Sequence, residues 1–112
     1  MYNKPVTKHF KKRARQRAGL NKKTIENFYN KACANGFRIE DFESRPLFTN
    51  YLKSITKPHY HVIVYNRYVM ICSNNDEVGI TILNLPKEYY SVVDSIKRMR
   101  KEEKKRNEIT QH

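Results

Sequence analysis

Apolar residues recur at helical spacing in the first third of the chain. Phe10, Ala14 and Ala18 stand at i, i+4 and i+8, a narrow stripe that predicts a helix over residues 8–18. Thr7 is placed to cap it, because a hydroxyl there can accept from an unpaired first-turn amide. Gly19 is a fitting C-terminal stop. A second helix is predicted over 22–34, between Asn21 as N-cap and Gly36 as terminator. Ile25, Phe28, Tyr29, Ala32 and Cys33 give it the best amphipathic pattern in the chain. Ile25 and Phe28 are therefore expected in the core. Phe37, Ile39 and Phe42 read as anchors of a loop, and Leu47, Tyr51, Leu52 and Ile55 as a short helix near 46–54.

The period then changes. Residues 60–65, 68–73 and 78–84 are rich in Val, Ile and Tyr and read as strands. Asn66-Arg67 and Asn74-Asn75-Asp76 are polar turns between them. Pro86 opens a final helix of about 87–104, where its missing N–H costs nothing. Tyr89, Tyr90, Val93, Ile96 and Met99 share one side of that helix, and beyond Arg100 a charge run is expected to fray. The expected fold is α+β. Two N-terminal helices cover one face of a three-stranded, or at most four-stranded, antiparallel sheet, and a basic C-terminal helix follows.

At 112 residues the chain has room for one domain, residues 1–112. No apolar run approaches the roughly 20 residues of a membrane span, and the first 20 residues, basic and polar, do not read as a secretory leader. Cys33 and Cys72 lie in apolar stretches with no metal-ligand spacing, so they read as small core hydrophobes in a reducing, cytoplasmic compartment. His59 and His61 share a strand face, but no third ligand accompanies them. No metal or cofactor is expected.

Charge is uneven. Residues 1–31 carry ten cations and one anion, residues 32–86 five of each, and residues 87–112 eight cations and five anions, for a net +12. A neutral middle with basic ends suits a protein that meets polyphosphate. The sign excludes a DNA mimic. The expected partners are RNA or DNA, or a nucleoprotein complex, with an acidic protein as the other candidate and no membrane. Lys8, Lys11, Lys12 and Arg15 on the first helix, Lys22 and Lys23 after it, and Lys97, Arg98 and Lys101 on the last helix are the candidate phosphate contacts. Tyr60, Tyr65 and Tyr68 read mainly as core, with base stacking as the lesser alternative.

His9, Arg13 and Arg17 are spaced by four and share one drifting helix face beside the apolar stripe. Cleavage of RNA through its 2′-hydroxyl needs a proton acceptor, a proton donor and neutralisation of the phosphate. His titrates near neutral pH and serves the first two needs. Arg binds phosphate oxygens in bidentate fashion. The plain alternative is a solvated basic face.

The segment His9-Phe10-x-x-Arg13-x-x-x-Arg17-x-Gly19-Leu20, together with Ile80-Thr81-Ile82-Leu83-Asn84-Leu85-Pro86, resembles small phage and prophage proteins of the RelE/BrnT-like group. That group is related to the barnase–colicin–RelE class of metal-independent ribonucleases. The resemblance spans roughly residues 7–33 and 60–87. It implies a site between the first helix and the sheet, made by His9, Arg13 and Arg17 with Thr81 facing them from the last strand. Alternation alone puts Thr81 on the strand face opposite Ile80 and Ile82. Three functions remain open. They are a metal-independent endoribonuclease, a non-catalytic binder of nucleic acid or of a host defence nucleoprotein, and a protein-interaction module.

Overall fold

The computed structural model describes residues 4–76 and 78–110, with the side chains of all of these except Asp76 and residues 105–110. The order of elements is α1 (Lys8–Ala18), α2 (Ile25–Asn35), α3 (Pro46–Ser54), β1 (Tyr60–Tyr65), β2 (Tyr68–Ser73), β3 (Gly79–Asn84) and α4 (Tyr90–Thr110). Short 3₁₀ turns lie at Ile39–Phe42, Asn74–Asp76 and Lys87–Tyr89. The architecture is α+β, as expected.

Local chemistry sets most boundaries. The Thr7 hydroxyl accepts from the Phe10 amide at 3.0 Å and starts α1. Gly19 ends it with φ of 63°, a left-handed conformation that costs a residue with a Cβ about 1–2 kcal/mol. Asn21 does gather first-turn amides, since its Oδ1 accepts from Lys23 and Thr24 at 3.0 and 3.1 Å. That ring is an Asx turn, so regular helix begins at Ile25, where the apolar pattern starts, and three residues later than Asn21 as N-cap implies. Gly36 does terminate α2, but in extended conformation with φ of −70°. Its reason is space. A Cβ there would collide with Ile63 Cγ2 and the Ala32 carbonyl oxygen.

The sheet is an antiparallel meander in the order β1–β2–β3. Ile63 pairs with Met70 and Met70 with Ile82, while Val64 pairs with Val69 and Val69 with Leu83. These two rows face opposite ways, as strand alternation requires. Ile63, Met70, Cys72 and Ile82 pack under α1 and α2 with Phe10, Ala14, Ile25 and Tyr29. Val62, Val64 and Val69 pack on the other side with Phe42, Phe48, Leu52, Val93 and Ile96. The sheet is therefore sandwiched, with α3, the Ile39–Phe42 turn and α4 closing the second face. Val69 to Cys72 of the central strand are all buried, which explains their unbroken apolar run.

Each sheet edge is engaged by a neighbouring segment, which limits open-edge pairing there. On the β1 edge, Phe37 and Val64 exchange backbone hydrogen bonds of 2.8 Å in each direction. On the β3 edge, Val6 forms a parallel bridge with Gly79. Beyond that bridge α1 itself takes over the β3 edge. Thr7 Oγ1 donates to the Ile80 carbonyl at 2.9 Å, and Arg17 Nη1 donates to the Ile82 carbonyl at 2.6 Å.

Two expectations about the last helix change. Pro86 precedes a 3₁₀ turn, so regular helix starts at Tyr90 and not at 87. The backbone then stays helical to Thr110 through the charge run expected to fray. The side chains of Lys105 and Arg106 lie outside the described residues. Among the described residues no helix is long and apolar enough to cross a membrane.

Candidate nucleic-acid interface

α1 buries Phe10 and Ala14, so its geometry assigns every other side chain. Lys8, Lys12 and Arg15 fall on the opposite side and are exposed, with Lys11 half-buried at the margin. Lys8, Lys11, Lys12, Arg15 and Gln16 line an open cleft of about 410 Å³. The helix sequence contains no acid, so this face is cationic along its length. Lys22 and Lys23 lie in the α1–α2 turn and are exposed. Anchoring by Thr7 and Arg17 at the two ends of α1 fixes the face on the sheet.

The four residues of the candidate catalytic site are not brought together. His9 is exposed and Arg13 half-buried on one flank of α1. Arg13 Nη1 donates to Gln16 Oε1 at 3.1 Å, and its Nε is enclosed without an acceptor. Such an unmet donor costs about 1–3 kcal/mol. Arg17 is held by the Ile82 carbonyl, so its charge closes a strand edge. Thr81 is the clear departure from the expected arrangement. It pairs with Ile71, whose partner on β1 is Val62, and Val62 belongs to the core layer beneath α3 and α4. Thr81 therefore stands on the sheet face turned away from α1. The two-residue alternation of β3 made this outcome unavoidable once Ile82 packed with Phe10.

On the opposite layer, Lys97, Arg98 and Lys101 are exposed on α4. Lys97 and Lys101 open onto a groove of about 600 Å³ between α4 and the β1–β2 turn, and Arg98 does not line it. Sequence reasoning missed this groove. Phe37, Val64 and Val93 floor it, and Arg67, Arg100 and Lys104 join the two lysines on its walls. Arg67 forms an ion pair with Asp94 at 3.0 Å and lies 4.2 Å over the Tyr90 ring. The hydrogen bond from Arg67 holds the Asp94 carboxyl below the usual carboxylate range, with the charge of Arg67 adding to it. Arg100 pairs with Asp41 at 3.2 Å and lies 4.0 Å over Phe37. The available signal was the 97, 101, 104 spacing, one ridge of a helix, directly after the buried Val93.

The remaining candidates resolve simply. His59 and His61 are exposed, and no group of three metal-ligating side chains occurs among the described residues. Tyr65 and Tyr68 pack edge-on against Phe28, at centroid distances of 5.4 and 5.9 Å. Cys33 and Cys72 form no disulfide. Both approach the hydroxyl of the fully buried Tyr29, whose ionisation burial pushes far above its ordinary range.

Comparison of the chain with protein-family models, with curated proteins and with solved structures finds no match in any of the three.

Proposed function

We propose that the chain binds nucleic acid, bare or within a nucleoprotein, and that α1 supplies the principal phosphate-gripping face. The observation that carries this reading is the acid-free outer face of α1, with Lys8, Lys12 and Arg15 exposed and Lys22 and Lys23 beyond them. A rigid row of cations displaces condensed counterions from a phosphate backbone, which is the main source of sequence-independent affinity. The neutral middle of the sequence forms the sheet and its α3 cover, so the excess positive charge lies on the helical elements at either end of the chain.

Binding is favoured over cleavage. The likeness to the RelE/BrnT-like group implies a site of His9, Arg13, Arg17 and Thr81. In this fold Thr81 lies across the sheet and Arg17 is engaged at a strand edge. A lone exposed His beside one Arg lacks the second proton-transferring group that 2′-hydroxyl chemistry needs.

A short labelled RNA and a DNA duplex, each titrated with protein at low salt, test the proposal. Both are expected to bind and to remain intact after prolonged incubation in EDTA. Absence of binding at low salt would overturn it. Discrete 2′,3′-cyclic phosphate ends that vanish in His9→Ala would establish the ribonuclease instead.

A further inference from the structure

The groove between α4 and the β1–β2 turn differs in kind from the α1 face. The α1 face is cationic and open, whereas the groove combines an apolar floor with cationic walls. Its volume of about 600 Å³ is within the range of ligand-binding clefts. Among the described residues Asp94 is the one acid on its lining, and it is paired with Arg67.

We propose that this groove seats a single-stranded segment of nucleic acid, with phosphates on the α4 lysines and bases against the part-exposed faces of Arg67 and Arg100. The inference rests on the nucleic-acid reading above and adds to it a second site with a strand preference. Lys97, Lys101 and Lys104 stand at i, i+4 and i+7, a ridge of about 10 Å along α4. No hydrogen bond or salt bridge engages them among the described residues, and Lys97 acts on Asp94 through its charge alone, so their ammonium groups can meet successive phosphates. The Arg100 guanidinium carbon lies 4.0 Å over the Phe37 ring and the group is tethered by Asp41, while its side chain stays 48% exposed. Arg67 is fixed in the same way by Tyr90 and Asp94 and is 43% exposed. A guanidinium held over a ring on one side and part-exposed on the other is a stacking platform for an unpaired base. A duplex keeps its bases stacked inside and reaches only the lysine ridge. Asn35 and Asn66 at the margins supply neutral donors and acceptors for base edges.

An acidic peptide also answers to cationic walls, but Arg67 and Arg100 already have carboxylate partners in Asp94 and Asp41, and Asp and Glu side chains carry no ring to stack on the guanidinium faces. Charge alone would recruit it.

The test is fluorescence anisotropy of the full chain with three labelled probes, an oligouridine, an RNA hairpin duplex of equal phosphate number and an oligoglutamate peptide. Oligouridine is expected to bind more tightly than the duplex. Lys97→Ala with Lys101→Ala should flatten the oligouridine salt slope by about 1.4, roughly 0.7 for each phosphate no longer neutralised. Arg100→Lys keeps the charge and removes the plane. It should weaken oligouridine by about fivefold, the lower end of one base stack, and leave the duplex unchanged. The thermal midpoints of both variants are recorded alongside, so that a loss of fold is recognised. Equal affinity for single strand and duplex, with salt-dependent binding retained, would overturn the groove and leave the α1 reading standing. Tighter binding of oligoglutamate, or indifference of oligouridine to Arg100→Lys in a folded variant, would also overturn it. Salt-independent or absent binding of both nucleic acids would remove both readings together.

Discussion

Arg17 Nη1 donates to the Ile82 carbonyl across 2.6 Å, and this bond ties the C-terminal turn of α1 to the free edge of β3. Thr7 Oγ1 does the same for the Ile80 carbonyl at the other end of the helix. A strand edge that would otherwise expose alternate carbonyls is thus closed by two side chains of one helix.

The first prediction follows from that bond. Arg17→Ala should lower stability by about 1.5–3 kcal/mol, the range for a hydrogen bond from a charged donor. His9→Ala, on an exposed flank, should stay within about 0.5 kcal/mol. Urea unfolding gives both values as midpoint shifts at constant slope. A neutral Arg17→Ala would show that its charge is not committed to the strand edge.

The two helix-terminating glycines should respond differently to the same substitution. Gly19 has a left-handed φ of 63° and open space around a new Cβ, so Gly19→Ala should cost about 1–2 kcal/mol through backbone strain alone. Gly36 has ordinary dihedrals, but a Cβ there meets Ile63 and the Ala32 carbonyl. Gly36→Ala should cost about 1–3 kcal/mol or more, as overpacking between α2 and β1 does. Thermal unfolding of the pair settles it, and a tolerated Gly36→Ala would contradict the α2–β1 packing.

Helix and strand placement was legible because short-range chemistry decides it. Thr7 and Gly19 delimit α1 at the expected residues, and Asn66 takes the positive φ of 54° that the β1–β2 turn needs. The failures are of another kind. Ile25 is fully buried as expected, but Phe28 is only half-buried against Tyr65 and Tyr68, and its neighbour Tyr29 takes the deep position. The turn of the helix relative to the sheet, which no local pattern encodes, decides between them. The spacing of His9, Arg13 and Arg17 was visible, but whether Arg17 met a phosphate or a carbonyl depended on where β3 ended up. The groove was hidden for the same reason, since Arg67 and Arg100 are 33 positions apart and meet only through packing of α4 on the sheet.

The Arg67–Asp94 pair has a pH signature. Asp94 titrates lower in the folded chain than in the unfolded chain because Arg67 stabilises its carboxylate. Its contribution is therefore fully present above the unfolded carboxyl pKa of about 3.9 and disappears as pH falls through the lower, folded value. The stability difference between the parent chain and Asp94→Asn should be constant from neutral pH down to about 5 and then shrink. A difference that grew on acidification would contradict the sign of the shift.

The central claim is that phosphate is gripped by the outer face of α1, and the salt dependence of binding tests it most directly. Log K for a short RNA should fall linearly with log salt. In Lys8→Ala/Lys12→Ala/Arg15→Ala the slope should flatten by about 2, roughly 0.7 for each single-strand phosphate no longer neutralised, with the thermal midpoint unchanged. An unchanged slope in that folded triple variant, or a parent affinity indifferent to salt, would contradict the account.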